Sequence, residues 1–160
     1  MATIIKTQEE IEKMKIGGKI LASVMEKLKI AALPGVKTIE LDKLAEQLIL
    51  EAGCQISFRT VRDYQWSTCL CVNDAVVHGI PSEYELKDGD LLGIDVGLIY
   101  EGLHLDMAET IEIRNSKFEI RNDEKEKFLS VGKMALAKAI AQAKVGNRIG
   151  HISQAIEENI

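Results

Sequence analysis

The chain has 160 residues, of which 46% are hydrophobic and 28% are charged, a composition typical of one folded globular domain with a sizeable core. Its formal net charge is -5 and no block of Lys or Arg stands out, so nucleic acid is disfavoured as a partner. The apolar runs are shorter than the ~20 residues that a membrane span requires, and the N-terminus has no signal-sequence pattern. We therefore expect a cytoplasmic protein without membrane contact.

The first predicted element is an amphipathic helix from about Gln8 to Ala32. Thr7 and Glu10 have the spacing of a capping box, and apolar residues then recur every three or four positions. Pro34 and Gly35 follow and end the helix. Thr38 can cap a second helix, which has an apolar stripe that extends to residue 49. The chain is therefore predicted to open with a pair of helices.

A sheet is predicted after Gly53, because the apolar residues change there to short continuous or alternating runs. The runs that predict strands are residues 55–61, 68–72, 75–78, 91–99 and 103–113. A loop is expected over 79–90, because it contains Pro81 and the turn-forming Lys87-Asp88-Gly89-Asp90. Further helices are predicted from Asn122 or Asp123 to near Val145-Gly146 and from about Ile149 to Ile160. The charged, irregular segment 114–122 between them is the candidate seam.

The segment from Leu91 to Ile113 is predicted to be a hairpin that brings two carboxylates together. If its turn centres on Tyr100-Glu101, Asp95 and Asp106 lie directly opposite each other; if it centres on Glu101-Gly102, they are diagonal neighbours on one face. Two such carboxylates in an apolar hairpin repel each other unless a cation or a basic side chain lies between them. A pair of divalent ions would fit this arrangement, and pairing with Lys or Arg is the alternative.

The sequence contains three histidines, and two of them lie near this hairpin or its candidate site. His78 closes a predicted strand and precedes Gly79-Ile80-Pro81, a common place for a functional side chain; a ring bound to a loop carbonyl is the alternative. His104 lies two residues from Asp106 and thus on the same strand face, either as a partner of the site or exposed to solvent. His151 opens the last helix and is expected at the surface. The cysteines, Cys54, Cys69 and Cys71, are read as reduced, packed thiols.

Several of these residues resemble a known family by their order and spacing. They are Asn73-Asp74, Val77-His78-Gly79-Ile80-Pro81, Leu86 to Asp90, Ile94-Asp95-Val96-Gly97, Gly102 and Asp106, and the whole series resembles the type I methionine aminopeptidases. Paired aspartates are common to all pita-bread metallohydrolases, whereas the His-Gly-Ile-Pro block is similar to methionine aminopeptidases in particular. The resemblance runs from Met1 to about Ile160.

The resemblance implies an α/β (α+β) pita-bread fold made of two related halves. Residues 1–160 would be a single, apparently truncated peptidase domain, with 1–113 as the first half and 114–160 as the start of the second. It also implies two divalent metal ions, such as Co, Mn, Fe or Zn, held in part by Asp95 and Asp106. His78 would be catalytic and would contact the substrate near its scissile peptide, and Tyr64 would help bind the substrate.

The activity that the resemblance implies is removal of the initiator methionine from new polypeptides when the next residue is small. The partners would be nascent N-termini that begin with Met, with the ribosome as a further partner, and the family is usually monomeric. The alternative is a non-catalytic pita-bread domain that binds nascent chains, the ribosome or another protein. A proline-specific peptidase is a third reading, which the block around His78 argues against.

Three features depart from the family pattern. The family completes its metal site with a histidine in a Gly-His-Gly context and with two glutamates. These ligands have no position in these 160 residues, since His151 lies in Ile149-Gly150-His151-Ile152 and not in Gly-His-Gly. The usual Gly-Tyr-x-Gly-Tyr-Pro appears as residues 60–65 and retains only Tyr64. Leu105 stands where a small residue usually precedes the second aspartate. We therefore expect weak activity, or none, from this polypeptide alone.

Overall fold

The computed structural model describes residues 5–114 and 123–160. The chain divides into two compact units, Met1–Lys117 and Phe118–Ile160. Their boundary lies within 114–122, most of which is outside the described residues. The candidate carboxylates and His78 belong to the first unit.

Helix α1 covers Gln8–Ala31 and begins with the predicted capping box. The Glu10 amide donates to Thr7 Oγ1 at 3.2 Å, and the Thr7 amide donates to Glu10 Oε2 at 2.7 Å, so two donors that a helix start leaves unpaired are satisfied. The apolar stripe of the helix is buried against the sheet, through Leu21, Val24, Met25 and Leu28. The prediction of this helix is confirmed.

Helix α2 covers Thr38–Glu51, but Thr38 is its first residue and not its cap. The cap position belongs to Lys37, and the Lys37 amide donates to Glu40 Oε2 at 2.9 Å. Thr38 Oγ1 instead donates to the Ser82 carbonyl and accepts from the Ser82 amide, both at 2.9 Å. This buried threonine thus ties the helix to the loop after His78, a long-range contact that the local sequence does not contain.

The described residues form a four-stranded antiparallel sheet in which one strand pairs with the other three. Its strands are β1 Gln55–Ile56, β2 Thr68–Val72, β3 Leu91–Tyr100 and β4 Leu103–Glu112. Three predicted strands are therefore confirmed, while the predicted strand 55–61 is shortened to β1 and a 3-10 turn at Phe58–Thr60. The predicted strand 75–78 is wrong, since these residues form a loop.

Strand β3 separates a helix face from a carboxylate face. Every second side chain of β3 is fully buried in one core with α1 and α2, and these side chains define the helix face of the sheet. They belong to Leu92, Ile94, Val96 and Leu98. The intervening residues Gly93, Asp95 and Gly97 point the other way and define the carboxylate face. One strand thus carries the core and the candidate site.

The second unit contains α3, Asp123–Gln142, and α4, Ile149–Glu157, which pack against each other. The third helix was expected to continue to 145–146, but it ends earlier because Asn147 Nδ2 donates to the Gln142 carbonyl at 3.0 Å. His151 is exposed, as predicted, and its Nδ1 accepts a hydrogen bond from the Arg148 amide at 3.0 Å. Within the described residues, every helix is too short or too polar to cross a membrane.

Candidate metal site on the carboxylate face

A two-residue turn fixes the register of the β3–β4 hairpin. Glu101 and Gly102 have φ values of 50° and 79°, and this pair of positive angles is characteristic of a type I′ turn. Asp95 therefore pairs with Ala108, and Asp106 pairs with Gly97. Asp95 and Asp106 are diagonal neighbours on the carboxylate face, which is the second of the two registers predicted from the sequence.

The two carboxyl groups disturb each other electrostatically. Burial raises the pKa of Asp95 to about 6, with repulsion from Asp106 and a hydrogen bond shared with it as the next causes, while His78 opposes the shift. Asp106 is exposed and Asp95 is half-buried. Neither carboxylate forms an ion pair with Lys or Arg anywhere in the described ranges. The basic partner considered as the alternative to a cation is therefore not found there.

The thiol beside Asp95 is a neutral hydrogen-bond donor. Cys69 pairs with Asp95 across β2 and β3, and its Sγ lies 3.2 Å from the Tyr64 hydroxyl. The single hydroxyl hydrogen of Tyr64 is donated to the Thr68 carbonyl at 2.7 Å, so the Cys69 thiol must donate to Tyr64. Burial is the main cause that raises the pKa of Cys69. A protonated thiol is a poor metal ligand, which leaves oxygen ligands as the donors at this point of the sheet.

Tyr64, the predicted substrate-binding residue, lies next to this cluster. Burial and the contact with Cys69 raise the pKa of its hydroxyl far above the usual value, and the negative charge of Asp95 adds to the shift. The Tyr64 ring packs edge-on against Phe58, with ring centroids 6.3 Å apart. The structure thus places Tyr64 next to Cys69, the residue that pairs with Asp95.

Gly97 allows the chain after β1 to cross the carboxylate face close to Asp106. A Cβ at Gly97 would lie 2.8 Å from Phe58 Cε1 and 3.1 Å from Ser57 Cβ, so these side chains occupy the space above the glycine. Ser57 Oγ then reaches His104 Nδ1 at 2.8 Å. Sequence reasoning missed Ser57 and Phe58; the absence of a side chain at Gly97, opposite Asp106, was the one local signal for them.

His78 lies in a loop and not at the end of a strand. Its φ of 55° is unusual for a residue with a side chain, and its ring is exposed. The loop leaves the strand direction because Gly79 occupies the edge of β2, where the Leu70 amide donates to the Gly79 carbonyl at 2.8 Å. This pairing replaces the ladder that a strand at 75–78 would need. His78 nevertheless acts electrostatically on Asp95.

The donor set fits a divalent cation in part. Asp95 and Asp106 supply hard oxygen ligands on one face, and a cation between them would relieve the repulsion that helps to raise the pKa of Asp95. Among residues 5–114 and 123–160, however, no cluster of three or more His, Cys, Asp or Glu side chains could enclose a metal ion. The described residues therefore offer two candidate ligands, fewer than a divalent ion takes from a closed protein site.

Comparison with known proteins identifies the class. Residues 12–160 match Metallopeptidase family M24, and the chain belongs to this family. It is 38% identical to a methionine aminopeptidase of Clostridium perfringens over 157 residues, which is 98% of this chain and 61% of the relative. The chain thus spans about three fifths of the length of the curated relatives it matches.

Solved structures show the fold. The chain is similar to a methionine aminopeptidase from Thermotoga maritima, with 31% identity and a TM-score of 0.91 over 99% of this chain and 62% of that one. The prolidase from Pyrococcus horikoshii gives a TM-score of 0.82 at 22% identity, over 98% of this chain and 42% of that one. The pita-bread α/β fold implied by the sequence resemblance is confirmed.

Proposed function

We propose that this chain is part of a metal-dependent aminopeptidase that removes the initiator methionine from new polypeptides in the cytoplasm. The observation that carries the proposal is the carboxylate pair: Asp95 and Asp106 share one face of the hairpin and have no Lys or Arg partner in the described residues. The membership of family M24 and the names of its relatives support the same reading.

Each candidate residue has a separate role in this proposal. Asp95 and Asp106 hold part of a site for two divalent ions of the Co, Mn, Fe or Zn type, which supply a Lewis acid for peptide hydrolysis when bound. His78 stabilises the substrate near its scissile peptide, because its side chain is exposed and acts electrostatically on Asp95. Tyr64 borders the space for the first side chain of the substrate. The proposed domain organisation is a first half at 1–113 and the start of a second half from 114.

The experiment that tests the proposal measures methionine release from a Met-Ala-Ser peptide, with and without added Mn²⁺. The protein is used at high concentration, because slow turnover is expected. Asp95→Asn is expected to abolish the metal-dependent release while the circular dichroism spectrum stays unchanged, because the strand keeps its shape and loses a charged ligand. Glu51→Gln is the matched control, since it removes an exposed carboxylate at the end of α2. Equal release by Asp95→Asn and the unaltered chain would refute the assignment.

The rate of methionine release by this polypeptide alone is expected to be low. Residues 1–160 expressed alone should turn over slowly, because two carboxylates without further ligands bind a divalent ion weakly. Robust cleavage of the same peptide by this polypeptide would show that ligands other than these two complete the site.

A non-catalytic peptide-binding domain is the second candidate. It is favoured by the incomplete ligand set and by residues 60–65, where Arg62 and Asp63 are almost fully exposed. In that case the chain would bind a peptide with a free N-terminal methionine equally well with Mn²⁺ and with a chelator, and would not cleave it. Calorimetric titration with the peptide in both conditions separates this candidate from the aminopeptidase.

A further inference from the structure

Gly79 ties the loop that carries His78 to the edge of β2. The Gly79 carbonyl accepts from the Leu70 amide at 2.8 Å, and the Gly79 amide donates to Cys71 Sγ at 3.3 Å. The stretch just before His78 is not anchored by apolar side chains, because Val76 and Val77 are 87% and 67% exposed. The two hydrogen bonds at Gly79 therefore help to hold the backbone next to His78.

The contact at Gly79 leaves no room for a side chain. A Cβ at this position would lie 2.2 Å from the Leu70 carbonyl oxygen and 3.0 Å from Cys71 Cα, both backbone atoms of a strand paired with β3. The glycine therefore lies flat against β2, and the residue before it, His78, takes a positive φ. The backbone position of His78 is therefore linked to the contact between Gly79 and β2.

Cys71 belongs to the carboxylate face of the sheet. It pairs with Gly93, two residues from Asp95, and its side chain shares a face with Cys69. A Cβ at Gly93 would lie 3.5 Å from Cys71 Cβ, an ordinary contact distance, so Gly93 and Cys71 are close neighbours across the two strands. Cys71 thus pairs with the strand that holds Asp95 and accepts a hydrogen bond from the loop that holds His78.

We propose that Cys71 is a positioning residue that holds His78 beside Asp95 and Asp106 by accepting the Gly79 amide hydrogen. The inference rests on the proposed function for the role of His78. The hydrogen bond from the Gly79 amide to Cys71 Sγ, called the tether below, is observed in the structure itself. Cys71 touches neither the substrate nor the carboxylates in this role. It acts through one backbone amide, which fixes the direction from which the imidazole approaches the site.

Hydrogen exchange of the Gly79 amide, measured by NMR, tests the tether without any need for activity. Cys71→Ala is expected to speed this exchange by about fivefold, the effect of one ordinary hydrogen bond, whereas Cys71→Ser keeps an acceptor and restores slow exchange. Cys54→Ala is the matched control, because it deletes a buried thiol that contacts Ala52 and not the loop. Unchanged exchange in Cys71→Ala, or equal exchange in the Ala and Ser variants, would overturn the proposal.

Steady-state kinetics of methionine release then test the positioning of His78. Cys71→Ala should lower kcat by about fivefold with little change in KM, and Cys71→Ser should recover most of the loss, a pattern that simple destabilisation does not produce. Faster hydrogen exchange at Gly79 together with an unchanged kcat would show that Cys71 does not position His78 for the reaction. If neither the variants nor the unaltered chain release methionine, an outcome that the two-carboxylate ligand set allows, the exchange experiment decides the hydrogen bond to Cys71 and the calorimetric titration decides the proposed function.

A second variant keeps the test decisive if Cys71→Ala does not fold. Gly79→Ala must move away from the Leu70 carbonyl, so it should break the bond from the Leu70 amide and speed exchange there by about fivefold or more. Retained protection at Leu70 in this variant would contradict the tight contact on which the proposal depends.

Discussion

The two faces of the sheet around strand β3 differ in whether their carboxylates have a basic partner. On the helix face the carboxylate of Glu109, paired in register with Ile94, is met by Lys29 of α1 at 2.8 Å. On the carboxylate face Asp95 and Asp106 lie close together with no Lys or Arg partner in the described part of the chain. The ion pair on the helix face therefore contributes stability, whereas the repulsion between the two carboxylates on the other face lowers it.

The largest expected effect comes from the helix face. Leu98→Ala should lower the free energy of unfolding by about 3 kcal/mol, because Leu98 is fully buried in the core with α1 and α2 and would leave a cavity. Urea unfolding monitored by circular dichroism measures the loss. Asp95→Asn, three residues away on the other face, should change stability far less. Similar losses in both variants would mean that the faces do not differ as described.

Metal binding on the carboxylate face should depend on pH. Since the pKa of Asp95 is raised to about 6, most of the carboxyl is protonated at pH 5 and competes with a cation, whereas at pH 8 it is ionised. The apparent affinity for Mn²⁺ should therefore be about tenfold weaker at pH 5 than at pH 8, or ~1.4 kcal/mol. Isothermal titration calorimetry at the two pH values checks this; equal affinities would place the ion elsewhere.

Removal of one charge from the pair should stabilise the protein. The pKa of Asp95 is higher in the folded than in the unfolded chain, so folding stability falls as pH rises from about 4 to 6 and stays lower above that range. Asp106→Asn removes the repulsion but not the burial, which is the larger cause. We expect a gain of roughly 1 kcal/mol above pH 6 and little change below pH 4, measured by urea unfolding without metal. A loss of stability at pH 7 would contradict the repulsion.

The smallest effect is expected for the ion pair on the helix face. Lys29→Met keeps the apolar stem of the side chain and removes the charge that meets Glu109 and Glu26, both contacts being partly exposed. Stability should fall by about 0.5 kcal/mol at low salt and by less at 1 M salt, because salt screens such pairs. An increase in stability would show that the attraction between Lys29 and Glu109 does not stabilise the fold.

Most elements of the first unit could be predicted from local patterns. The capping box at Thr7, the stop at Pro34-Gly35 and the alternation in Leu91 to Ile113 each depend on neighbours within a few residues, so the predictions of α1, β3 and β4 are confirmed. The family was also recognisable, because its characteristic residues are contiguous around His78. The assignment of metal and substrate roles to individual residues stays a prediction.

The sequence by itself determined that Asp95 and Asp106 share a face, because side chains alternate along a strand and the two registers pair Asp106 with either Asp95 or Gly97, which lie on the same side of β3. Only the tertiary structure decided which register forms, through the positive φ angles of Glu101 and Gly102. It also decided that residues 75–78 leave the sheet, because the edge of β2 is taken by Gly79. The second of these choices depends on a contact between separate segments, Gly79 and Leu70, and such a contact leaves no periodic signal in either segment.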